Sequence, residues 1–90
     1  MKSATDVWFE NGEKAYKKGL YGRALSWFLK AAEQGDHRAM KRLGDMYYRG
    51  DGVKEDIGKA LDWYRKAFHN GNGEAGRLEE QIIHVINLSI

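Results

Sequence analysis

The chain repeats itself. Laying residues 22–39 over residues 58–75, an offset of 36, places Gly22 on Gly58, Ala24 on Ala60, Leu25 on Leu61 and Trp27 on Trp63. It also places Phe28 on Tyr64, Lys30 on Lys66, Ala31 on Ala67, Gly35 on Gly71 and Ala39 on Ala75. Eight of these nine pairs are identities, and the ninth exchanges one aromatic ring for another. No other feature constrains the fold as much, because a period of this length marks a supersecondary unit that buries its apolar face only by stacking on its neighbour. A second match, at offset 32, places Gly12 on Gly44 and Tyr16 on Tyr48, each followed by a glycine-rich turn. The first turn, Lys18 to Gly22, is shorter than the second, Arg49 to Gly58, and four extra residues there reconcile the two offsets. The unit is helix, turn, helix, present twice, with a fifth segment left over.

Apolar spacing supports helices throughout. Trp8, Gly12 and Ala15 share a face with Phe9 and Tyr16 beside them; Ala24, Trp27, Phe28 and Ala31 form a second stripe. Met40, Leu43, Gly44 and Tyr47 form a third, and Ile57, Ala60, Leu61, Tyr64, Ala67 and Phe68 a fourth. Gly35 and Gly71 stand where left-handed C-terminal caps belong, and Asp36, Asp56 and Asn72 are the N-cap candidates. Setting Gly12 against Ala24, and Gly44 against Ala60, would bring paired helices close together. Glu74 to Ile90 reads as a last helix with Leu78, Ile82, Val85 and Ile86 on its stripe, a lid for the exposed end of the stack. Ile83, Leu88 and Ile90 fall off that stripe, as a frayed end or a sticky edge. The expected fold is all-α: about five helices, in antiparallel helix-turn-helix repeats stacked as a short α-solenoid. The expected organisation is a single domain over 1–90, with one unit at 5–36, a second at 37–72 and a capping helix at 73–90.

Composition excludes several function classes. Ninety residues with no Cys hold no disulfide framework and no thiolate metal site. Fifteen Lys and Arg against 13 Asp and Glu leave +2, too balanced for nucleic acid or an anionic membrane. The first residues carry no apolar leader, and Ile82 to Ile90 is too short to span a bilayer, which gives a cytoplasmic expectation. Gly71-Asn72-Gly73-Glu74-Ala75-Gly76 satisfies G-x-G-x-x-G, but it follows a helix instead of a strand and carries Glu74 where phosphate would lie; it reads as cap, turn and next helix. His37, His69 and His84 have no metal-ligand spacing. The acidic turn Asp51 to Asp56 lacks the alternation of a calcium loop. Ser3, Ser26 and Ser89 lie in no nucleophile elbow, and Asn87-Leu88-Ser89 is a glycosylation sequon with no secretory route. No catalytic residue, cofactor or metal is expected.

Residues 43–67 carry a recognisable string: Leu43-Gly44, Tyr47, Gly50-x-Gly52-Val53, Asp56, Lys59-Ala60, Trp63-Tyr64 and Lys66-Ala67. It resembles the Sel-1-like repeat, of the tetratricopeptide-like superfamily, and departs only at Phe68, where that family has a second Ala. Residues 5–36 resemble a plain tetratricopeptide unit through Trp8, Gly12, Gly19, Tyr21, Ala24, Phe28 and Ala31, with Asn11 and Ala15 in place of its Leu and Tyr. The resemblance implies a right-handed stack of antiparallel pairs, a non-enzymatic binding role, and a concave groove lined by the first helix of each pair. Some members of the family are disulfide-rich and associated with penicillin binding; without Cys, that activity is not carried over.

On helical periodicity the groove takes Phe9, Glu13, Tyr16 and Lys17 from the first unit. From the second it takes Arg38, Lys41, Asp45, Tyr48 and Arg49, and from the last helix Arg77, Gln81 and His84. Aromatic and Arg residues are the types that anchor protein interfaces. The leading expectation is an interaction module holding a peptide or partner protein, with a basic lining that favours an acidic ligand. One alternative is a small inhibitor or immunity-type protein blocking a single enzyme. The other is a self-associating subunit, a homodimer through the apolar C-terminal helix.

Overall fold

The computed structural model describes residues 1–89. Five helices follow one another: α1 (Ala4–Lys17), α2 (Tyr21–Glu33), α3 (His37–Arg49), α4 (Ile57–His69) and α5 (Gly73–Leu88), with no strand among the described residues. Each packs on its neighbours in sequence, α1 with α2 and α3 with α4 as the tight pairs. The result is an elongated all-α solenoid of 47 × 26 × 17 Å. Ile90, one of the three apolar residues read as off the last stripe, lies outside the described residues.

Local chemistry accounts for the helix boundaries. Ser3 and Asp6 form a reciprocal capping box on α1. Asp36 accepts from the amides of Arg38 and Ala39, Asp56 from Lys59 and Asn72 from Ala75, as the spacing predicts. The two unit ends close identically. Gly35, at φ 86°, donates to Ala32 and is followed by Asp36 donating to Ala31; Gly71, at φ 104°, donates to Phe68 and is followed by Asn72 donating to Ala67. Only glycine enters that left-handed region without strain, so the repeat of Gly at offset 36 is a repeat of chain reversal.

The core runs along the inside of the stack through Ala24, Phe28 and Ala31, their counterparts Ala60, Tyr64 and Ala67, and Ala39, Leu43, Met46 and Ala75. The sequence pairs Gly12 with Ala24 and Gly44 with Ala60, but the nearest groups lie one turn further on. A Cβ at Gly12 would meet the Phe28 ring at 2.5 Å, and one at Gly44 would meet the Tyr64 ring at 2.5 Å. Each glycine is therefore the seat of an aromatic ring, and the helix pairs close around it.

The departure at Phe68 has its compensation in the neighbouring helix. Offset 36 carries the buried pair Ala32 and Met40 onto Phe68 and Gly76, reversing large and small. The Phe68 ring lies on Gly76, where a Cβ would come within 2.5 Å, and it stays 50% exposed. The α5 stripe also divides. Leu78 and Ile82 pack against the core, whereas Val85 and Ile86 face outward with Ile83 and Leu88. Ile83 and Leu88 are regular helix and not a frayed end.

The long turn of the second unit reaches back over the first. Gly52, at φ 72°, sits so close to Tyr21 that a Cβ would be 2.6 Å from the tyrosine's own, and Asp51 accepts a hydrogen bond from the Tyr16 hydroxyl. The Tyr16 and Tyr21 rings in turn meet at a tilt of 50°, with centroids 5.1 Å apart.

Candidate functional site

The first helix of each unit, α1, α3 and α5, contributes to one side of the stack. Between α1 and α3 that side is closed by polar pairs. Arg42 binds Glu13 through two nitrogens, with Nη2 3.0 Å from Oε2. Arg38 spans Asp6 at 2.6 Å and Asp36 at 2.7 Å while its guanidinium lies 4.5 Å above the Phe9 ring. Arg49 donates to the Tyr16 hydroxyl at 3.1 Å on the far side of the Asp51 contact.

Asp45 is the one charged residue buried among the described residues, at 5% exposure. Tyr64 donates to it at 2.6 Å, Lys41 approaches at 2.9 Å and Arg42 at 3.2 Å. Lys41, its side chain only 16% exposed, also reaches Glu74 at 3.2 Å and so ties α3 to α5. These contacts satisfy a carboxylate that would otherwise be very costly to bury. Burial pushes the Tyr64 hydroxyl far above its ordinary range, and the Asp45 carboxylate that accepts its proton adds to the effect. Burial likewise raises the Tyr16 hydroxyl, with the Asp51 hydrogen bond second. The Arg38 hydrogen bond holds the Asp6 carboxyl below its usual value. For Asp36 burial acts upward, but the hydrogen bond and charge of Arg38 outweigh it and the group ends below the ordinary range. The Glu13 hydrogen bond raises the Arg42 guanidinium against the opposing effect of burial.

Between α3 and α5 the same side opens into a pocket of about 280 Å³. Asp45, Tyr48 and Arg49 line it from α3, Tyr64 from α4, and Leu78, Gln81, Ile82 and Val85 from α5. Of the twelve groove residues read from periodicity, the structure brings Asp45, Tyr48, Arg49 and Gln81 together here. Phe9, Glu13, Tyr16, Arg38 and Lys41 are engaged with neighbours in the chain, while Lys17, Arg77 and His84 are exposed outside the pocket.

Periodicity missed three things: the Arg42 bridge to Glu13, the Tyr64 floor, and the apolar wall of Leu78, Ile82 and Val85. A signal for the last was present. Offset 36 carries Arg42 onto Leu78 and Arg49 onto Val85, so apolar residues replace cations where α5 succeeds α3.

The remaining motifs resolve into structure. Asp51 faces Tyr16 while Asp56 caps α4, so the acidic turn points its carboxylates apart. Among the described residues no group of three His, Asp or Glu side chains is arranged to hold a metal. His37, the first residue of α3, contacts the side chain of the α5 N-cap Asn72 at 3.0 Å. All three serine hydroxyls are taken by helix backbone: Ser3 at the α1 cap, Ser26 on the Gly22 carbonyl, and Ser89 on the Val85 carbonyl. Among the described residues no helix is long and apolar enough to cross a membrane.

Comparison with known proteins follows the same two units. The model of the Sel1 repeat family matches residues 4–36 and 37–72, so it covers the first unit as well as the second. An "ERAD-associated E3 ubiquitin-protein ligase component HRD3B" of Arabidopsis thaliana is 34% identical over 73 residues, 71% of this chain and 12% of that protein. A Helicobacter pylori (strain J99) protein named "Putative beta-lactamase HcpE" is 43% identical over 45 residues, 50% of this chain and 13% of that one. A mimivirus "sel1-like repeat-containing protein" is 45% identical over 42 residues, 47% of this chain and 7% of that one. The matched stretch is thus a small fraction of each relative, 7 to 13% of its length.

Proposed function

The chain belongs to the Sel1 repeat family, whose members generally serve as protein–protein interaction modules, and from that premise we propose that it binds a partner protein on the side formed by α1, α3 and α5. One observation carries this reading: that side ends in the pocket between α3 and α5, where Tyr48 is 44% exposed and an apolar wall meets a guanidinium. Aromatic, Arg and aliphatic groups around a concavity are the composition of an interface hot spot. The basic groove residues give the binding site a preference for an acidic partner.

The role is one of binding and not of catalysis. Its support is that the groove carboxylates Glu13 and Asp45 are spent on Arg42 and Lys41, and the serine hydroxyls on backbone. The relatives are whole proteins several times longer, and their activities are not carried across. A photoreactive amino acid at Gln81, with the same group at the exposed Asp62 of α4 as control, tests the reading in the source cells. Cross-linking of one protein from position 81 and not from 62 is the expected result. Capture from 62 alone would move the site to the outer helices and overturn the proposal.

A second reading has its own observation. Val85 is 60% exposed, with Ile83, Ile86 and Leu88 also facing solvent on α5, and a homodimer joined along this helix would bury them. Light scattering across a concentration series distinguishes the two, since a monomer throughout excludes the dimer.

A further inference from the structure

We propose that the pocket between α3 and α5 takes an aliphatic side chain together with a neighbouring Asp or Glu carboxylate of a protein partner, the carboxylate being held by Arg49 and the Tyr48 hydroxyl. The inference rests on the groove reading above and specifies the ligand chemistry of that groove. It comes from comparing the two successive junctions of the same solenoid.

At the first junction Tyr16 of α1 is held by a carboxylate and a guanidinium at once. Its hydroxyl donates to Asp51 and accepts from Arg49 at 3.1 Å. Offset 32 carries Tyr16 onto Tyr48, which occupies the same place on α3 at the second junction. There the polar partners are missing. Among the described residues the Tyr48 hydroxyl has no hydrogen-bond partner, and offset 36 carries Asp51 onto Asn87 and Arg49 onto Val85. A tyrosine that is closed by a carboxylate at one junction stands open at the next.

The cation needed to complete that arrangement is Arg49. Arg38, Lys41 and Arg42, the other groove cations of α3, each form ion pairs within the chain. Arg49 lines the pocket and, among the described residues, makes no ion pair within 4.0 Å, its one side-chain partner being the neutral Tyr16 hydroxyl. Of the groove cations of α3, Arg49 is therefore the one free to meet an incoming acid. Asp45 beside it does not oppose an incoming acid, because Lys41, Arg42 and the Tyr64 hydroxyl already surround its carboxylate.

The aliphatic half of the ligand follows from the opposite wall. Leu78, Ile82 and Val85 offer an apolar surface within the same 280 Å³, room for one branched side chain beside the carboxylate. The template at the first junction is an Asp side chain, so the carboxylate proposed here is that of a side chain and not of a chain terminus.

Selection of random 12-residue peptides, displayed with both ends fused so that no free terminus is present, tests this on the full chain. Enriched peptides should carry Asp or Glu beside Leu, Ile or Val. For such a peptide Arg49→Gln should weaken binding by about tenfold or more, the loss of a charge-assisted hydrogen-bonded pair, and Tyr48→Phe by several-fold. Arg49→Lys should restore most of it. Replacing the peptide acid by its amide should match the Arg49→Gln loss and add nothing in that background. Arg49→Glu should prefer the Lys-substituted peptide. Peptides lost on Val85→Asp but indifferent to Arg49→Gln and to their own acid would overturn the carboxylate assignment and leave the groove reading intact. Preference for a free C-terminal carboxylate in a companion library would overturn the side-chain assignment. Peptides indifferent to every pocket variant, or no enrichment at all, would overturn the inference and the groove reading together.

Discussion

Gly44→Ala is the sharpest test of how the helix pairs close. In an open helix the exchange is favourable by about 1 kcal/mol, because alanine restricts the unfolded chain and is the better helix former. Here the added methyl would lie 2.5 and 2.6 Å from two carbons of the Tyr64 ring, where ordinary carbon contacts are roughly 3.5–4.0 Å. The ring must retreat by about 1 Å, and it is buried to 2% exposure with its hydroxyl fixed on Asp45. Overpacking of this kind costs about 1–3 kcal/mol. The same displacement strains the 2.6 Å hydrogen bond from Tyr64 to buried Asp45, worth about another 1–2 kcal/mol. Subtracting the helix gain leaves a net loss of about 2 kcal/mol. For a domain of this size that is a fall in melting temperature of roughly 8–16 °C. Thermal and urea unfolding followed by circular dichroism at 222 nm measure it, with Gly22→Ala as the control. No atom lies within 4 Å of a Cβ built at Gly22, so that variant should be neutral or gain a few tenths of a kcal/mol. Gly44→Ala matching or exceeding wild-type stability would refute the argument that the ring seat, and not helix propensity, selects glycine.

The same geometry predicts a contrast at Gly76→Ala: its clash is with Phe68, whose half-exposed ring can swing aside, so urea unfolding should show a loss below about 1 kcal/mol. Asp45→Ala strands the buried Tyr64 hydroxyl and leaves Lys41 with Glu74 alone, and should cost about 2–3 kcal/mol in equilibrium denaturation, more than any other single carboxylate truncation on this side. Asp36 has a folded pKa below its ordinary value, so its charge contributes stability that is present above about pH 4 and lost as pH falls through the folded value. Asp36→Asn keeps a capping oxygen but not the charge; it should be less stable than wild type at neutral pH, and its unfolding free energy should decline less steeply between pH 4 and pH 2.

Those residues also mark where sequence reasoning reached and where it stopped. Helix count and caps were legible because they depend on short-range chemistry: Gly35 and Gly71 reverse the chain, and Asp36, Asp56 and Asn72 meet amides two or three residues on. The ring seats of Gly12 and Gly44 were one turn away from the facing alanines, since interhelical register is set by side-chain volume and not by periodicity. Charge was the harder problem. Periodicity places Arg38, Lys41 and Arg49 on one side alike, but their partners Asp6, Glu74 and Tyr16 belong to other helices, and which cation is left unpaired emerges only from the assembled stack. The split of the α5 stripe has the same origin, as Leu78 and Ile82 pack on the core while Val85 only borders the pocket.

The turn that folds Gly52 onto Tyr21 gives the solenoid a direction. Through it the second unit grips the first, and the Arg42–Glu13 and Arg38–Asp6 pairs add to the hold. Helix α5 packs on α4, is tied to α3 by Lys41–Glu74 and to α4 by Arg65–Glu79, and buries only Ala75, where α1 buries Gly12 and Ala15. The wall of the pocket is thus a shallowly set helix, and its amide exchange should outpace exchange in α1. A partner seated between α3 and α5 would slow that exchange as it binds.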